Sequence, residues 1–449
     1  MMKTFSRTGF TLAALLQLSA IMHAQDQTSF SLLEAEEYGV TNNLKMKNAL
    51  LDVEMAQKKI WETTAIGLPQ ISASGSFQNL VDIPTSVVDA QLFNPNAAEG
   101  EVMEFQMGQK YSTSASINVS QLVFDGSYLI GLQFAKFYAQ MAETAVSNTK
   151  NQIKAMVREA YYNVLVADKN LSLVDSVMIN TEKMWNEVKI LQKNGMIRME
   201  EVNQLELAYN RMLATRQNAS RQTEIARNLL KVQMGYDLEK TISLTESLDQ
   251  VLTSIDAANP AVQEFNMASN QNYILMEQQQ QLDEYSLRNE RAKYLPSVGA
   301  FFTHSQNAYR NEFDFFEDQP WYPTTVWGIS LNVPIASSGQ RLMRVQQAEI
   351  KLEQDVNNIA YLEQNLQYQE MQLKAGFENA YQLMKIEQMN INLATLIYNN
   401  EVKRRDIGVG SGLILTQIQT QLLTAQGNYI GAIMQMLAFK IQLDKLYNQ

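Results

Sequence analysis

The chain has no cysteine, and of its two histidines one, His23, lies within the first 24 residues. Disulfides, thiolate metal sites, a lipid-carrying N-terminal cysteine and cysteine nucleophiles are therefore excluded. His304 alone leaves no histidine cluster for a metal or a relay. Positive charge is scarce too, with 36 Lys and Arg against 47 Asp and Glu, which disfavours nucleic acid as a partner. Past the N-terminus no stretch approaches the 18 or so uncharged apolar residues of a spanning helix. Passage through a membrane would then require a closed β-barrel, the other structure that satisfies the backbone in lipid. Proline is sparse as well: the eight residues at 69, 84, 95, 260, 296, 320, 323 and 334 leave 96–259 and 335–449 free for long helices.

The N-terminus carries Lys3 and Arg7, an apolar run from Phe10 to Met22 and a small residue, Ala24. This pattern predicts a secretory signal over residues 1–24, too short and wrongly flanked for an anchor. Its removal would take the net charge from −11 to −13.

What remains is repetitive. "AIGLPQISASGSF" (65–77) resembles "AKYLPSVGAFFTH" (292–304), and each precedes a second strand pattern, a glycine turn and a long helical stretch. Gly126 and Gly195 in the first half match Gly339 and Gly408 in the second, both pairs 69 residues apart. Two copies of one supersecondary unit are expected, at 25–258 and 259–449. The first would hold helix 29–67, strands 70–81 and 111–124, a long helix 126–194 and helix 197–235, with a low-periodicity insert, 237–258, across the bundle. The second would hold helix 261–294, strands 297–305 and 325–335, a long helix 339–407 and helix 413–447.

A helix of that length spans about 100 Å, so its packing partners must be equally long. Val157, Val164, Leu171, Met178 and Trp185 recur every seven residues, with Ala160, Ala167, Val174, Thr181 and Val188 beside them. Leu415, Leu422, Tyr429, Met436 and Leu443 do the same near the C-terminus. Such seams predict left-handed coiled-coil packing.

The four strands set apolar against small neutral residues. "YSTSASINVSQLVF" (111–124) alternates Ala115, Ile117 and Val119 with Ser114, Ser116, Asn118 and Ser120. A soluble sheet would carry charges on its wet face. Ser, Asn, Gly and Thr suit a water-filled lumen, and the other face suits lipid. Four strands cannot close around a channel, so several chains must share one barrel, and three would give twelve strands. The fold expected is mainly α with a small β-barrel portion: a trimeric twelve-stranded outer-membrane barrel continuous with a long periplasmic coiled-coil barrel of helices.

On the Leu-Pro before each first strand, the "VFDGS" turn and the motifs "GMIRMEEV" (195–202) and "GVGSGLILTQIQTQLLTAQ" (408–426), the chain resembles the TolC family of outer-membrane efflux proteins over nearly its whole mature length. The resemblance implies an exit duct in the outer membrane of a Gram-negative bacterium, reaching into the periplasm. It would be a homotrimer that exports drugs, toxic compounds or secreted substrates passively. Its partners would be a periplasmic membrane-fusion adaptor, an RND or ABC inner-membrane pump and outer-membrane lipid, without nucleic acid, metal or cofactor.

It also implies that Asn194, Gly195, Met196 and Ile197, and Gly408, Val409, Gly410, Ser411, Gly412 and Leu413, form two helix-hairpin tips that dock the adaptor. Glu200, Glu201 and Gln204, with Arg404, Arg405, Asp406 and Gln417, would stand at the entrance gate. The family's acidic ring beyond the second tip is not carried over, since Ile414 and Gln417 stand there. The loops 82–110 and 306–323 would lie at the external mouth, as a lid or as plain surface. No P-loop, nucleophile elbow or metal-ligand cluster points to an enzyme. An exported coiled-coil scaffold or adaptor without a pore is the alternative, and it leaves the strands without a purpose.

Overall fold

The computed structural model describes residues 28–258, 264–407, 409–410 and 412–448. The expected signal, 1–24, lies outside them. The helices are α1 (Leu32–Asn42), α2 (Leu44–Ile66), α3 (Gly126–Lys193), α4 (Met199–Met234), α5 (Leu248–Ala258), α6 (Gln271–Ala292), α7 (Gln340–Asp406) and α8 (Gly412–Tyr447). The strands are β1 (Ser29–Phe30), β2 (Gln70–Asn79), β3 (Thr85–Asp89), β4 (Val102–Gln106), β5 (Tyr111–Phe124), β6 (Ser243–Leu244), β7 (Ser297–Arg310) and β8 (Tyr322–Asn332). The pairs α3/α4 and α7/α8 have nearly equal lengths, 68 and 36 residues against 67 and 36. Among the described residues no helix is long and apolar enough to cross a membrane.

Several boundaries differ from the sequence reading. The helix expected over 29–67 starts at Leu32, capped by Ser31 and Glu34, and breaks at Asn43. The Asn43 amide donates to the Gln233 carbonyl at 2.7 Å and its Oδ1 accepts from the Lys45 N–H at 2.8 Å, so a cross-chain contact outweighs local continuity. The helix expected from 261 starts at Gln271 after a 3-10 turn at Met267–Ser269. β7 runs to Arg310 rather than 305, and β8 is shifted to 322–332 because Pro334 has no N–H to give a ladder. The 82–110 loop holds the antiparallel hairpin β3–β4. In the insert, β6 pairs in parallel with β1, and Leu248, Val251 and Ile255 of α5 are buried. Asp249 meets Lys169 at 2.8 Å, and Asp256 meets Lys385 at 2.6 Å and Tyr381 at 2.8 Å, tying α5 to both α3 and α7.

The chain divides into two compact units that cut across the expected 25–258 and 259–449 division, because the long helices α3 and α7 run through both. Among the described residues, one unit falls within 28–52, 143–276 and 358–448. Its core joins Ile153, Val157, Tyr161 and Val164 of α3, Leu230 and Met234 of α4, Phe377 and Met384 of α7, and Ile433, Met436 and Leu443 of α8. The predicted seam positions Leu415, Leu422, Tyr429, Met436 and Leu443 are all buried. Through this core runs an ionic cluster: Arg158 lies 2.8 Å from Glu36 and 2.6 Å from Asp444, which also meets Lys440 at 2.6 Å. Burial alone would lower the guanidinium pKa, but Glu36 and Asp444 hold it above its usual value.

The other unit, residues 53–142 and 277–357, contains an antiparallel sheet in the order β2-β5-β7-β8. Ile71, Val119, Phe302 and Trp327 form one row across all four strands, and Leu331 and Ile329 share their face. On the opposite face Ser74 bonds Ser116 at 2.8 Å, Ser76 bonds Ser114 at 2.9 Å, and Thr303 donates to Asn118 at 2.9 Å. No charged residue of these strands falls on this second face. The apolar face is exposed in the single chain. β2 and β8 leave two open edges.

In the same unit α6 and α7 meet through carboxylates. Lys351 lies 2.9 Å from Asp355 and 3.8 Å from Asp283, and the second Asp355 oxygen is buried without a partner. Burial first, then the neighbouring Asp355, raises the Asp283 pKa from its ordinary value, while the Gln279 hydrogen bond and Lys351 oppose this. A carboxyl with a raised folded pKa contributes stability that is complete below its unfolded value and is lost as pH rises through the folded one. Asp283→Asn should therefore flatten the acid-side rise in stability and stabilise the protein at neutral pH. Thermal unfolding of both proteins between pH 4 and pH 7.5 tests this, and parallel profiles would refute it.

Candidate functional site: two hairpin tips

At the first tip the chain turns in five residues. Gly195 takes φ +70°, its N–H donates to the Gln192 carbonyl, and the Met196 N–H reaches back to Leu191, both at 2.9 Å. This is the left-handed helix ending that glycine makes cheaply. α4 then starts after Arg198, whose side chain makes no cap bond, and Glu200 and Glu201 fill its first turn, where the helix end is electropositive. Beneath the turn Val188, Val202 and Leu205 are buried, with Trp185 and Ile197 packed on them. Trp185 stacks on Tyr209 with centroids 4.5 Å apart, and Lys189 Nζ lies 3.0 Å from the Trp185 ring centroid.

At the second tip the Val409 and Gly410 N–H groups both donate to the Arg404 carbonyl, at 2.9 and 3.1 Å. A Cβ on Gly410 would lie 2.8 Å from the Arg405 nitrogen and 2.9 Å from its Cα, so the turn needs glycine for close approach. Gly408, Ser411 and the side chains of Asp406 and Leu413 lie outside the described residues.

The two hairpins belong to one bundle. Val174, Val177, Met178 and Met184 of α3, Met212 of α4, Tyr398 of α7 and Leu415 and Leu422 of α8 form a single buried cluster. Gln419 donates to Thr181 at 2.8 Å across it. Each tip exposes apolar side chains: Met196 and Met199 at the first, Ile407, Val409 and Ile414 at the second. Three of these, Met199, Ile407 and Ile414, lie outside the tip segments 194–197 and 408–413 expected from sequence. Their signal was simple, apolar residues with no place in the seam.

The expected gate residues do not meet as ion pairs. Glu200, Glu201, Gln204, Arg404 and Gln417 are exposed and Arg405 is half-buried. Among the described residues no ion pair joins Glu200 or Glu201 to Arg404 or Arg405; Arg404 instead approaches Glu401 at 3.9 Å. Glu401 is buried and went unnoticed in the sequence, where it reads as one more surface charge. His304 lies in β7, with Nδ1 2.8 Å from Thr325 Oγ1, and no group of three or more metal-ligating side chains occurs among the described residues.

No curated protein sequence matches the chain. Solved structures match in shape. The Campylobacter jejuni CmeC outer membrane channel is 15 % identical at TM-score 0.66, over 93 % of this chain and 85 % of its own. VceC, an outer membrane protein of Vibrio cholerae, is 13 % identical at 0.64, over 93 % and 96 %. The open state of the Neisseria gonorrhoeae MtrE outer membrane channel is 15 % identical at 0.67, over 93 % and 88 %. At such identities the likeness establishes the fold: mainly helical with a sheet, as in outer-membrane channels. Residues 267–449 match the family described as outer membrane efflux protein. Over that segment the chain is similar to outer membrane efflux proteins, and over nearly its whole length it shares the fold of solved outer-membrane channels.

Proposed function

We propose that three copies of this chain form a passive export duct, with four strands from each closing one twelve-stranded barrel. The observation that carries this reading is the sheet: an exposed apolar face, an uncharged polar face and two open edges. In lipid an open edge leaves backbone groups unpaired at several kcal/mol each, so β2 of one copy must pair with β8 of the next. The Ser, Asn and Thr face then lines water and the Ile, Phe and Trp face meets acyl chains. The matched helix pairs are read as two copies of one ancestral unit. The exposed apolar tips suit docking of a periplasmic adaptor, through which an inner-membrane pump of RND or ABC type supplies the energy. Drugs, toxic compounds or secreted substrates are the cargo class this arrangement serves.

Single-channel recording on the purified protein in planar bilayers tests the reading. Discrete conductance steps from a threefold-symmetric particle are expected; no conductance from correctly inserted protein would refute it. The same recording tests the entrance. If Glu200 and Glu201 stand at its mouth, Glu201→Lys should shift the reversal potential in a salt gradient toward anions. An unchanged potential removes Glu201 from the gate.

A further inference from the structure

The segment joining β7 to β8, residues 311–321, does not lie on the polar face of the sheet. Phe77 and Tyr111 stand on the apolar face, on the side away from the bonded Ser76–Ser114 pair. Phe313 packs on both, with ring centroids 5.9 and 6.0 Å away, and Phe315 packs on Phe77 at 5.7 Å. Arg310, in register with Tyr111 on the same face, fixes the fold-back. Its Nη2 donates to the Pro320 carbonyl at 2.8 Å, and its Nε lies 3.3 Å from Asp314. Burial beside the loop is confined to β7, for Phe77 under Phe313 stays 52 % exposed. Ala308 and Arg310, at the loop end of this face, are 0 % and 7 % exposed, whereas Phe302 and Trp327 further along it are 40 % and 77 % exposed. Beyond the covered zone Phe316 is 94 % exposed.

We infer that residues 311–321 form a lipid-contacting collar on the barrel's outside, with Phe313 and Phe316 seated at the boundary between acyl chains and headgroups of the outer leaflet. The inference rests on the reading that the apolar sheet face meets lipid, and goes beyond it in giving this loop an occupant. Two features select that occupant. Phe313 packs on the face that carries Phe302, Trp327 and Ile329, joined to them by Ile117 and Ala115 of β5 and flanked on β7 by His304 and Gln306, so the loop extends that face toward a more polar level. Among the loop's phenylalanines stand Glu312, Asp314, Glu317 and Asp318, which suit the headgroup level rather than the hydrocarbon interior. A lid over the pore mouth, the role open to this loop from sequence, would need it on the Ser and Asn face.

The absence of cysteine makes the test direct, because an engineered thiol is the sole labelling site. Full-length Phe316→Cys is spin-labelled in vesicles of phosphatidylethanolamine and phosphatidylglycerol, and its collisions with oxygen and with a water-soluble nickel complex are measured. Ile329→Cys and Ser116→Cys serve as lipid-facing and water-facing references. A label at 316 that favours oxygen severalfold over nickel, relative to 116, is the expected result. Nickel access equal to that at 116 would put the loop in water, and shielding from both reagents would bury it against a neighbouring copy; either overturns the collar. If 329 also fails to report lipid, the reading of the sheet face falls, and the collar with it. Phe313→Cys repeats the measurement should the 316 variant fail to insert.

Discussion

Arg158→Ala is expected to cost about 3–5 kcal/mol, the penalty for leaving buried charges without their partner. Glu36 and Asp444 are only 4 % and 6 % exposed at their side chains, and Arg158 itself 14 %. Asp444 retains Lys440, but Glu36, 4 % exposed and paired with Arg158, would be left buried without that partner. Arg158→Lys should fall between, because a single ammonium cannot bridge two carboxylates as the guanidinium fork does. The triple variant Glu36→Gln, Arg158→Met, Asp444→Asn removes the three most buried charges, leaves Lys440 at 18 % exposure, and should recover most of the loss, since an intact buried cluster adds little net stability. Guanidinium unfolding followed by circular dichroism measures all three. An Arg158→Ala protein within about 1 kcal/mol of the parent would mean that water reaches the cluster.

The second large effect is expected at the entrance end. Gly410→Ala forces a methyl against the Arg405 backbone, at 2.8 Å from its nitrogen and 2.9 Å from its Cα, and backbone cannot step aside as a side chain can. The turn must open, shifting Ile407 and Val409, the exposed side chains proposed above to dock an adaptor. Export should fall at least about tenfold, the equivalent of about 1.4 kcal/mol of lost docking. The amount of protein in the outer membrane should be unchanged, because none of the buried cores includes this turn. Two other glycines grade the comparison. A Cβ at Gly412 meets nothing within 4 Å, so Gly412→Ala should be nearly silent. Gly195→Ala also meets open space but must hold φ +70°, at about 1–2 kcal/mol, and should be intermediate. Drug susceptibility normalised to protein in the membrane reads all three. Full export by the Gly410 variant would remove the second tip from the docking surface.

Much of this architecture is written in periodicity. The seven-residue spacing from Leu415 to Leu443 marks positions that are buried, and the alternation around Ile117 and Ser116 assigns the faces of β5. The glycines at 126, 195 and 339 mark the limits of long helices. Those signals are local, and local rules decode them. What escaped is set by residues far apart in the chain. Asn43 is unremarkable within a helical stretch until the end of α4 arrives to claim its side chain. Arg158 finds Glu36 and Asp444 at separations of 122 and 286 residues, with no spacing rule to announce it. Burial of Glu401 and the course of residues 311–321 likewise depend on tertiary contacts. Among the tip residues the glycines and their turn were legible. The apolar cluster around them was not, because single exposed Met or Ile residues are ordinary on any surface.

The pairing of β5 with β7 also orders events in time. Asn118 and Thr303 meet across 185 residues of chain, so the central ladder of the sheet cannot close until the second half has followed the first. The α3/α4 hairpin needs no such wait, since its contacts are between chain neighbours. A partly made chain therefore carries a finished helix hairpin beside strands whose greasy face and open edges are still bare. Such late, long-range pairing is slow and exposes the chain to aggregation. The vulnerable interval runs from the making of the β2–β5 pair to the arrival of β7, while the other edge of β5 is still unpaired.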